Sequence, residues 1–506
     1  MKNATKRLEK SPEFWIILSI ALLFFFLRVP SLFEPDWYGD EGIYQTIAVA
    51  LNQGRLLYTE IWDNKPPLLY YTYSLVNGDL FLIRLLSLIT GLLSVVAFSL
   101  LAKSILKKTT GIIAATLLFS ILFGLPILEG NIANAENFML LPILTGALLV
   151  YRIILRHHQN TNDTPTIKLV STRRLILPGI LLGIAFLYKI VAVFDFAAIV
   201  IFIIFCLSPK KPTLSNIILF FKTEWRILAT FSLGFLLPFL LSLIFFGSQG
   251  AFSAYIQAIF LSTFGYVGYG NVFLVPQGLL IGKTILLGIV LINVFVMRKR
   301  LAPGVIFIII WLGFSVFNSF FSQRPYTHYL IVLIAPLSLL FGLIFTLSVK
   351  RRAIPTFLFI CIAFITLNFF DHWSIQKTGN YYINFISYIN NQSSMRQYYS
   401  FFDRKALRDE QIATFIDNRS GIDRSLFMWG NSAQLYYLTK TLPPGRFTVA
   451  YHISGIKPYL DETGLALTKP PHFIIILDNA PIYPFPMYNY RQVLKIEEAN
   501  IYERTY

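Results

Sequence analysis

The chain has 506 residues, 55% of them hydrophobic and only 14% charged, with a formal net charge of +17. A mean hydropathy of +0.61 describes a chain whose solvent is largely lipid, which excludes an ordinary soluble enzyme and makes a polytopic α-helical membrane protein the expected class. The positive balance does not point to nucleic acid, because Lys and Arg gather in short clusters between apolar runs, where they orient helices.

The amino terminus places Lys2, Lys6 and Arg7 before an apolar run from Phe14 to Leu27, the layout of a signal peptide. No small-residue cleavage site follows, only Arg28, Val29 and Pro30, so the run is read as an uncleaved first helix. A helical crossing takes about 20 apolar residues. Candidate spans are 13–31, 80–102, 110–128, 137–153, 174–190, 191–207, 227–246, 277–297, 303–321, 330–348 and 354–370, about eleven in all. The basic clusters Lys6-Arg7, Lys103 to Lys108, Arg152 to Arg174, Lys210-Lys211, Arg298 to Arg300 and Lys350 to Arg352 then fall on one side. The positive-inside rule makes that side the cytoplasm. The expected setting is the cytoplasmic (inner) membrane, with the amino terminus inside.

Residues 1–370 are thus expected to form the membrane part. The first outer connection, 32–79, is longer than a connector requires, and loops of that size without a function are uncommon. Its Tyr, Trp and Pro residues suit short helices lying in the membrane interface. After Phe370 the hydropathy falls, and 371–506 reads as an extracytoplasmic α/β domain. In it, Ala406 to Asn418 is predicted as an amphipathic helix, and Ser425 to Trp429 and His472 to Leu477 as strands. Cys206 and Cys361 both lie in apolar runs, without the spacing of metal ligands or of a disulfide framework.

The chemistry gathers on the outer connections. Asp40-Glu41 stands in Glu34-Pro-Asp-Trp-Tyr-Gly-Asp-Glu-Gly-Ile-Tyr44, and paired carboxylates beside a membrane are costly unless they hold a charge, a metal or a proton. Asp40 is the better candidate for a general base that accepts the proton of an attacking hydroxyl, with Glu41 supporting it or helping to bind a cation. Glu136, in Asn131-Ile-Ala-Asn-Ala-Glu-Asn-Phe138, can meet that loop or simply favour a helix amino end. Lys65, in Trp62-Asp-Asn-Lys-Pro-Pro-Leu68, is held by two stiff prolines and suits a phosphate, though an interfacial lysine can also snorkel. Lys189 has apolar neighbours on both sides and needs an anion or water. Arg84 lies near the outer end of the second span, and Gln323-Arg-Pro-Tyr-Thr-His-Tyr329 adds Arg324 as a phosphate ligand, the phenol of Tyr326, and His328, which titrates near neutral pH or serves structurally.

Asp40-Glu41-Gly-Ile-Tyr44 followed by Lys65-Pro-Pro-Leu68 resembles the signature of GT-C glycosyltransferases, and within them the family 39 group that includes protein O-mannosyltransferases and the lipid A aminoarabinose transferase. Ala135-Glu-Asn-Phe-Met-Leu140 is similar to that group's second acidic position, and Leu181 to Lys189 and Arg324-Pro-Tyr-Thr-His-Tyr329 extend the likeness across most of the membrane region. The resemblance implies a polyprenyl-phosphate-linked sugar as donor, transfer to an extracytoplasmic lipid, glycan or protein acceptor, and inversion at the anomeric carbon. It makes Asp40 the base and Glu136 an orienting group, and gives the departing phosphate to Lys65 and Lys189 with Arg84 and Arg324. Tyr44 belongs to the same motif as a substrate-side residue. Where the aminoarabinose branch often carries an arginine two positions after the acidic pair, this chain has Ile43, so one phosphate contact is absent or replaced. A divalent metal ion remains open as a cofactor. A transporter or lipid-sugar flippase is the competing class, but transporters tend towards related halves and broken helices at mid-membrane, whereas these polar residues collect at one surface.

Overall fold

The computed structural model describes residues 12–159, 172–208, 214–262, 271, 277–369, 374–419 and 423–505. Each predicted span meets a helix: Pro12–Arg28, Leu80–Leu106, Thr109–Gly124, Ala135–Gln159, Ile176–Tyr188, Val193–Leu207, Leu214–Ser248, Gly278–Met297, Pro303–Ser319, Ile331–Thr346 and Ala353–Phe369. Seven of these, taken with their flanking turns, are long and apolar enough to cross a membrane, while Thr109–Gly124, Ile176–Tyr188, Pro303–Ser319 and Ala353–Phe369 are shorter. The chain is a multi-pass membrane protein. Helices are the outcome because lipid offers no partners to backbone N–H and C=O groups, which must be satisfied within each segment. Lys6-Arg7, Lys210-Lys211 and most of the 159–172 and 263–276 connections lie outside the described residues.

Apolar side chains alone cannot hold helices together in lipid, so close contacts rely on small residues. A Cβ on Gly183 would sit 2.4 Å from the Phe235 carbonyl oxygen, and one on Gly179 2.3 Å from that of Phe231, so Ile176–Tyr188 lies directly against Leu214–Ser248. Gly278–Met297 instead leaves Ile281, Ile285, Ile289, Ile292 and Val296 exposed at helical spacing, the stripe expected of a lipid-facing helix.

The first loop forms two short helices, Gly39–Asn52 and Leu68–Ser74. They were expected in the membrane interface, but Ile43, Tyr44, Ile47, Leu69, Tyr70 and Tyr73 are buried in a core that also contains Trp429, Leu435, Ile475 and Ile501 of the carboxy-terminal region. The aromatic residues that suggested an interface are enclosed by protein instead. Gly42 permits this contact, since a Cβ there would stand 2.7 Å from the Gln434 backbone nitrogen. Thr46 Oγ1 donates to the Ala433 carbonyl at 2.9 Å, the Trp62 N–H to that of Arg446 at 2.9 Å, and the Arg446 guanidinium back to that of Tyr58 at 3.1 Å.

The carboxy-terminal region has helices Ser374–Ile389, Met395–Ser400 and Arg404–Asp417 before a four-stranded sheet. Its strands β1 (Leu426–Trp429), β2 (Phe473–Leu477), β3 (Tyr490–Ile496) and β4 (Ala499–Arg504) lie in the order β1-β2-β4-β3. β1 and β2 are parallel, pairing Leu426 with Phe473, and helices Gln434–Leu438 and Lys457–Ala466 fall in the crossover between them. Both are apolar runs rather than alternating ones, as strands covered on two faces should be. The β3–β4 hairpin was not predicted. Arg491 and Lys495 break the apolar pattern of β3, an edge strand with a register shift between Gln492 and Leu494.

Candidate active site

Asp40 occupies the first turn of Gly39–Asn52, where the helix dipole favours a negative charge. Its Oδ2 accepts from Tyr44 Oη at 3.1 Å and from Lys65 Nζ at 3.3 Å. Lys65 is fixed through its own backbone, its carbonyl accepting from Tyr58 Oη at 2.8 Å and its N–H donating to Tyr70 Oη at 3.2 Å. The following prolines start Leu68–Ser74, so the ammonium projects from a stiff bend. Asp40 remains 34% exposed and Lys65 21%. Burial opposes ionisation of Asp40, but the Lys65 ammonium and then His328 outweigh it and hold the carboxyl below the usual carboxylate range. Burial likewise opposes the charge of Lys65, and Asp40 and Asp63 more than restore it.

Glu41 serves a different purpose. Its carboxylate is 2% exposed and takes two hydrogen bonds from Arg84, from Nε at 3.2 Å and from Nη2 at 2.6 Å, and a third from the Ala133 N–H at 2.9 Å. Arg84 Nη1 donates to the Ser31 and Glu34 carbonyls at 3.1 and 3.0 Å. The guanidinium is fully enclosed. Arg84 was expected at the departing phosphate or as an anchor of its helix end, and Glu41 as a support for the base or a partner for a cation; the structure pairs the two with each other, buried, where they join the first loop to helix Leu80–Leu106. Tyr44 is fully buried and its hydroxyl donates to Asp40.

A second cluster gathers around Glu129 and Glu136. The Tyr38 hydroxyl donates to Glu129 Oε2 at 2.5 Å, and that oxygen also meets His328 Nδ1 at 2.9 Å. Thr327 Oγ1 donates to Glu129 Oε1 at 2.6 Å. His328 Nε2 lies 3.9 Å from Glu136 Oε1, which is paired with Lys189 Nζ. Lys189 sits at the break after Ile176–Tyr188 with an extended backbone, and its ammonium stands 4.5 Å from the Tyr329 ring centroid. Burial opposes ionisation of Glu129, and His328 with the three hydrogen-bond donors holds its carboxyl low. Tyr326, 48% exposed, stacks on His328 with ring centroids 5.7 Å apart. Arg324 is half-buried on the same connection.

Asp40 and Lys65 are therefore brought together in one set of contacts, and Glu136, Lys189 and His328 in another. Asp63 and His452 extend the first set and Tyr38 and Glu129 the second, and none of the four was given a role from the sequence. Asp63 Oδ2 accepts from Tyr70 Oη at 2.7 Å and lies 3.7 Å from Lys65 Nζ, while its Oδ1 is 3.5 Å from His452 Nε2. Asp63 two residues before Lys65 was a usable signal; nothing in the sequence ties His452 to it. The donor set does not suit a divalent metal ion. Among the described residues no three His, Cys, Asp or Glu side chains gather as ligands, and Asp40, Asp63 and Glu136 are each already matched to an ammonium.

No protein-family model and no curated protein matches the chain. Among solved structures it is similar to ArnT from Cupriavidus metallidurans bound to undecaprenyl phosphate, at 12% identity over 97% of this chain and 98% of that one, with a TM-score of 0.48. It is also similar to the apo oligosaccharyltransferase of Archaeoglobus fulgidus, at 12% identity over 92% of this chain and 69% of that one, with a TM-score of 0.45. Likenesses this distant fix neither a family nor a reaction.

Proposed function

We propose that this protein is a membrane glycosyltransferase that moves a sugar from a polyprenyl-phosphate-linked donor to an acceptor on the non-cytoplasmic face, with inversion and with Asp40 as general base. The observation that carries the reading is the pairing of a part-exposed Asp40 carboxylate with Lys65, beside a second carboxylate–lysine pair, Glu136 with Lys189. A proton acceptor and two cations in one cleft suit a reaction that releases a proton on one side and a phosphate on the other.

An acceptor hydroxyl attacks the anomeric carbon from the face opposite the phosphate. The new C–O bond forms as the bond from that carbon to the phosphate oxygen breaks. The hydroxyl proton passes to Asp40, and the electron pair departs on the polyprenyl phosphate, whose added negative charge is met by Lys65 and Lys189. Arg324 completes the cation set, and Glu129 holds His328 so that its Nε2 stays beside Glu136.

Lys65 gives the two halves a common part. While it faces Asp40 it keeps that carboxylate charged but a weak base. A donor phosphate that draws the ammonium away raises the proton affinity of Asp40 when the acceptor needs it. In this reading the sheet-bearing region 371–506 is the extracytoplasmic domain, the membrane is the cytoplasmic one and the amino terminus is inside. The test uses full-length protein in liposomes with undecaprenyl-phosphoryl sugars and envelope extract. Wild-type protein is expected to transfer label and Asp40→Asn to lose it; undiminished transfer by Asp40→Asn removes Asp40 as base.

A further inference from the structure

The carboxy-terminal region reaches the Asp63–Lys65–Asp40 ion pairs through Tyr451 and His452. Trp62 bridges Phe447 in a short parallel pairing, and its ring meets that of His452 edge-on at 4.9 Å. His452 Nε2 faces Asp63 at 3.5 Å, Asp63 faces Lys65 at 3.7 Å, and Lys65 faces Asp40 at 3.3 Å. His452 is thus pinned on the loop that carries Lys65. Tyr451, the residue before it, packs edge-on against the imidazole at 4.4 Å and is still 49% exposed. Through that imidazole it is linked to Asp63, and through Asp63 to Lys65 and Asp40.

Two half-exposed tyrosines, Tyr326 against the His328 ring and Tyr451 against the His452 ring, therefore flank the ion pairs. A phenol ring offers a flat apolar face with a polar tip and little rotameric freedom to lose. That is the chemistry that receives a pyranose or furanose ring, whose C–H face is apolar and whose rim is hydroxylated. We propose that Tyr451 is a sugar-contacting, specificity-determining residue of the cleft, with His452 and Asp63 as the positioning residues that hold it there. The proposal rests on the glycosyltransferase reading and extends it: the sheet-bearing region supplies part of the substrate site as well as covering the first loop. The ring can belong to the donor sugar or to a saccharide acceptor.

The experiment compares wild type, Tyr451→Ala and Tyr451→Phe as full-length protein in lipid nanodiscs. Binding of bare undecaprenyl phosphate is measured beside binding of undecaprenyl-phosphoryl hexoses and pentoses, and transfer is followed against envelope-acceptor concentration. Tyr451→Ala should bind the bare lipid as wild type does. It should lose about tenfold either in preference for sugar-bearing over bare lipid, which assigns the donor sugar, or in apparent KM for the acceptor, which assigns the acceptor ring. Tyr451→Phe keeps the ring face and should stay within about threefold of wild type. If Tyr451→Ala changes neither quantity while wild type binds and transfers, the role of Tyr451 is overturned alone. If wild type binds no undecaprenyl lipid and transfers nothing, the glycosyltransferase reading falls and takes this proposal with it.

Discussion

Replacing Glu41 by alanine is expected to loosen the attachment of the first loop to helix Leu80–Leu106 rather than to remove a reacting group. Arg84 is 0% exposed and Glu41 2%, so water cannot take the place of the lost carboxylate. The change strips acceptors from Arg84 Nε, from Arg84 Nη2 and from the Ala133 N–H. Breaking a buried ion pair by deleting one partner costs about 3–5 kcal/mol. Glu34 remains 3.9 Å from Arg84 Nη2 and offsets part of the loss. The lower end, about 3 kcal/mol, is the expected penalty, a large share of the roughly 5–15 kcal/mol that stabilises a typical domain. Thermal unfolding in detergent, followed by tryptophan emission, should show a clearly lower midpoint for Glu41→Ala and a smaller drop for Glu41→Gln, which keeps one acceptor. Asp40→Asn should melt like wild type. A Glu41→Ala protein that melts normally would refute the buried-pair argument, and one that melts normally yet transfers nothing would return Glu41 to the chemistry.

Asp40→Asn should lower transfer by about 10²- to 10⁴-fold, the usual span for a lost general base, with lipid binding retained. Lys65→Met removes the cation that holds the Asp40 carboxyl low, so whatever transfer survives should have its acid limb moved to higher pH; an unmoved limb in a pH-rate profile would separate Lys65 from Asp40. Burial depresses His452 from the ordinary 6.5 to about 4. Because the fold prefers the neutral ring, its contribution to stability is present above the unfolded value and fades as pH falls from 6.5 towards 4. Protection from hydrogen exchange in 58–65 and 446–452, taken relative to the intrinsic rate at each pH, should therefore fall over that window in wild type and less in His452→Gln. Gly183→Val places a Cβ 2.4 Å from the Phe235 carbonyl oxygen and should reduce the yield of folded protein, read by size-exclusion chromatography, whereas Gly282→Ala, with open space around it, should not.

The membrane helices were legible in the sequence because their cause is local. An apolar run of sufficient length must become a helix in lipid, whatever its neighbours are, and the runs beginning near Phe14, Leu80 and Gly278 did so. β1 and β2 were legible for a similar reason, being short apolar runs between turns. The β3–β4 hairpin was not, since its pairing of Tyr490 with Arg504 and Ile496 with Ala499 lies between residues whose own pattern is mixed. The residue types of the site were also plain: carboxylates and lysines on connections that share a side.

Which carboxylate meets which cation was decided only by the tertiary structure. Consecutive residues on a helix point roughly 100° apart, so the first turn of Gly39–Asn52 turns Asp40 to Lys65 and Glu41 to Arg84, 43 positions away. Glu129 reaches His328 across 199 positions, and Asp63 meets His452 from the far end of the chain. A sequence carries the charges of such groups but not their separations or their access to water. Those two quantities set the strength of every pair, and packing of the first loop beneath the carboxy-terminal sheet fixed them both.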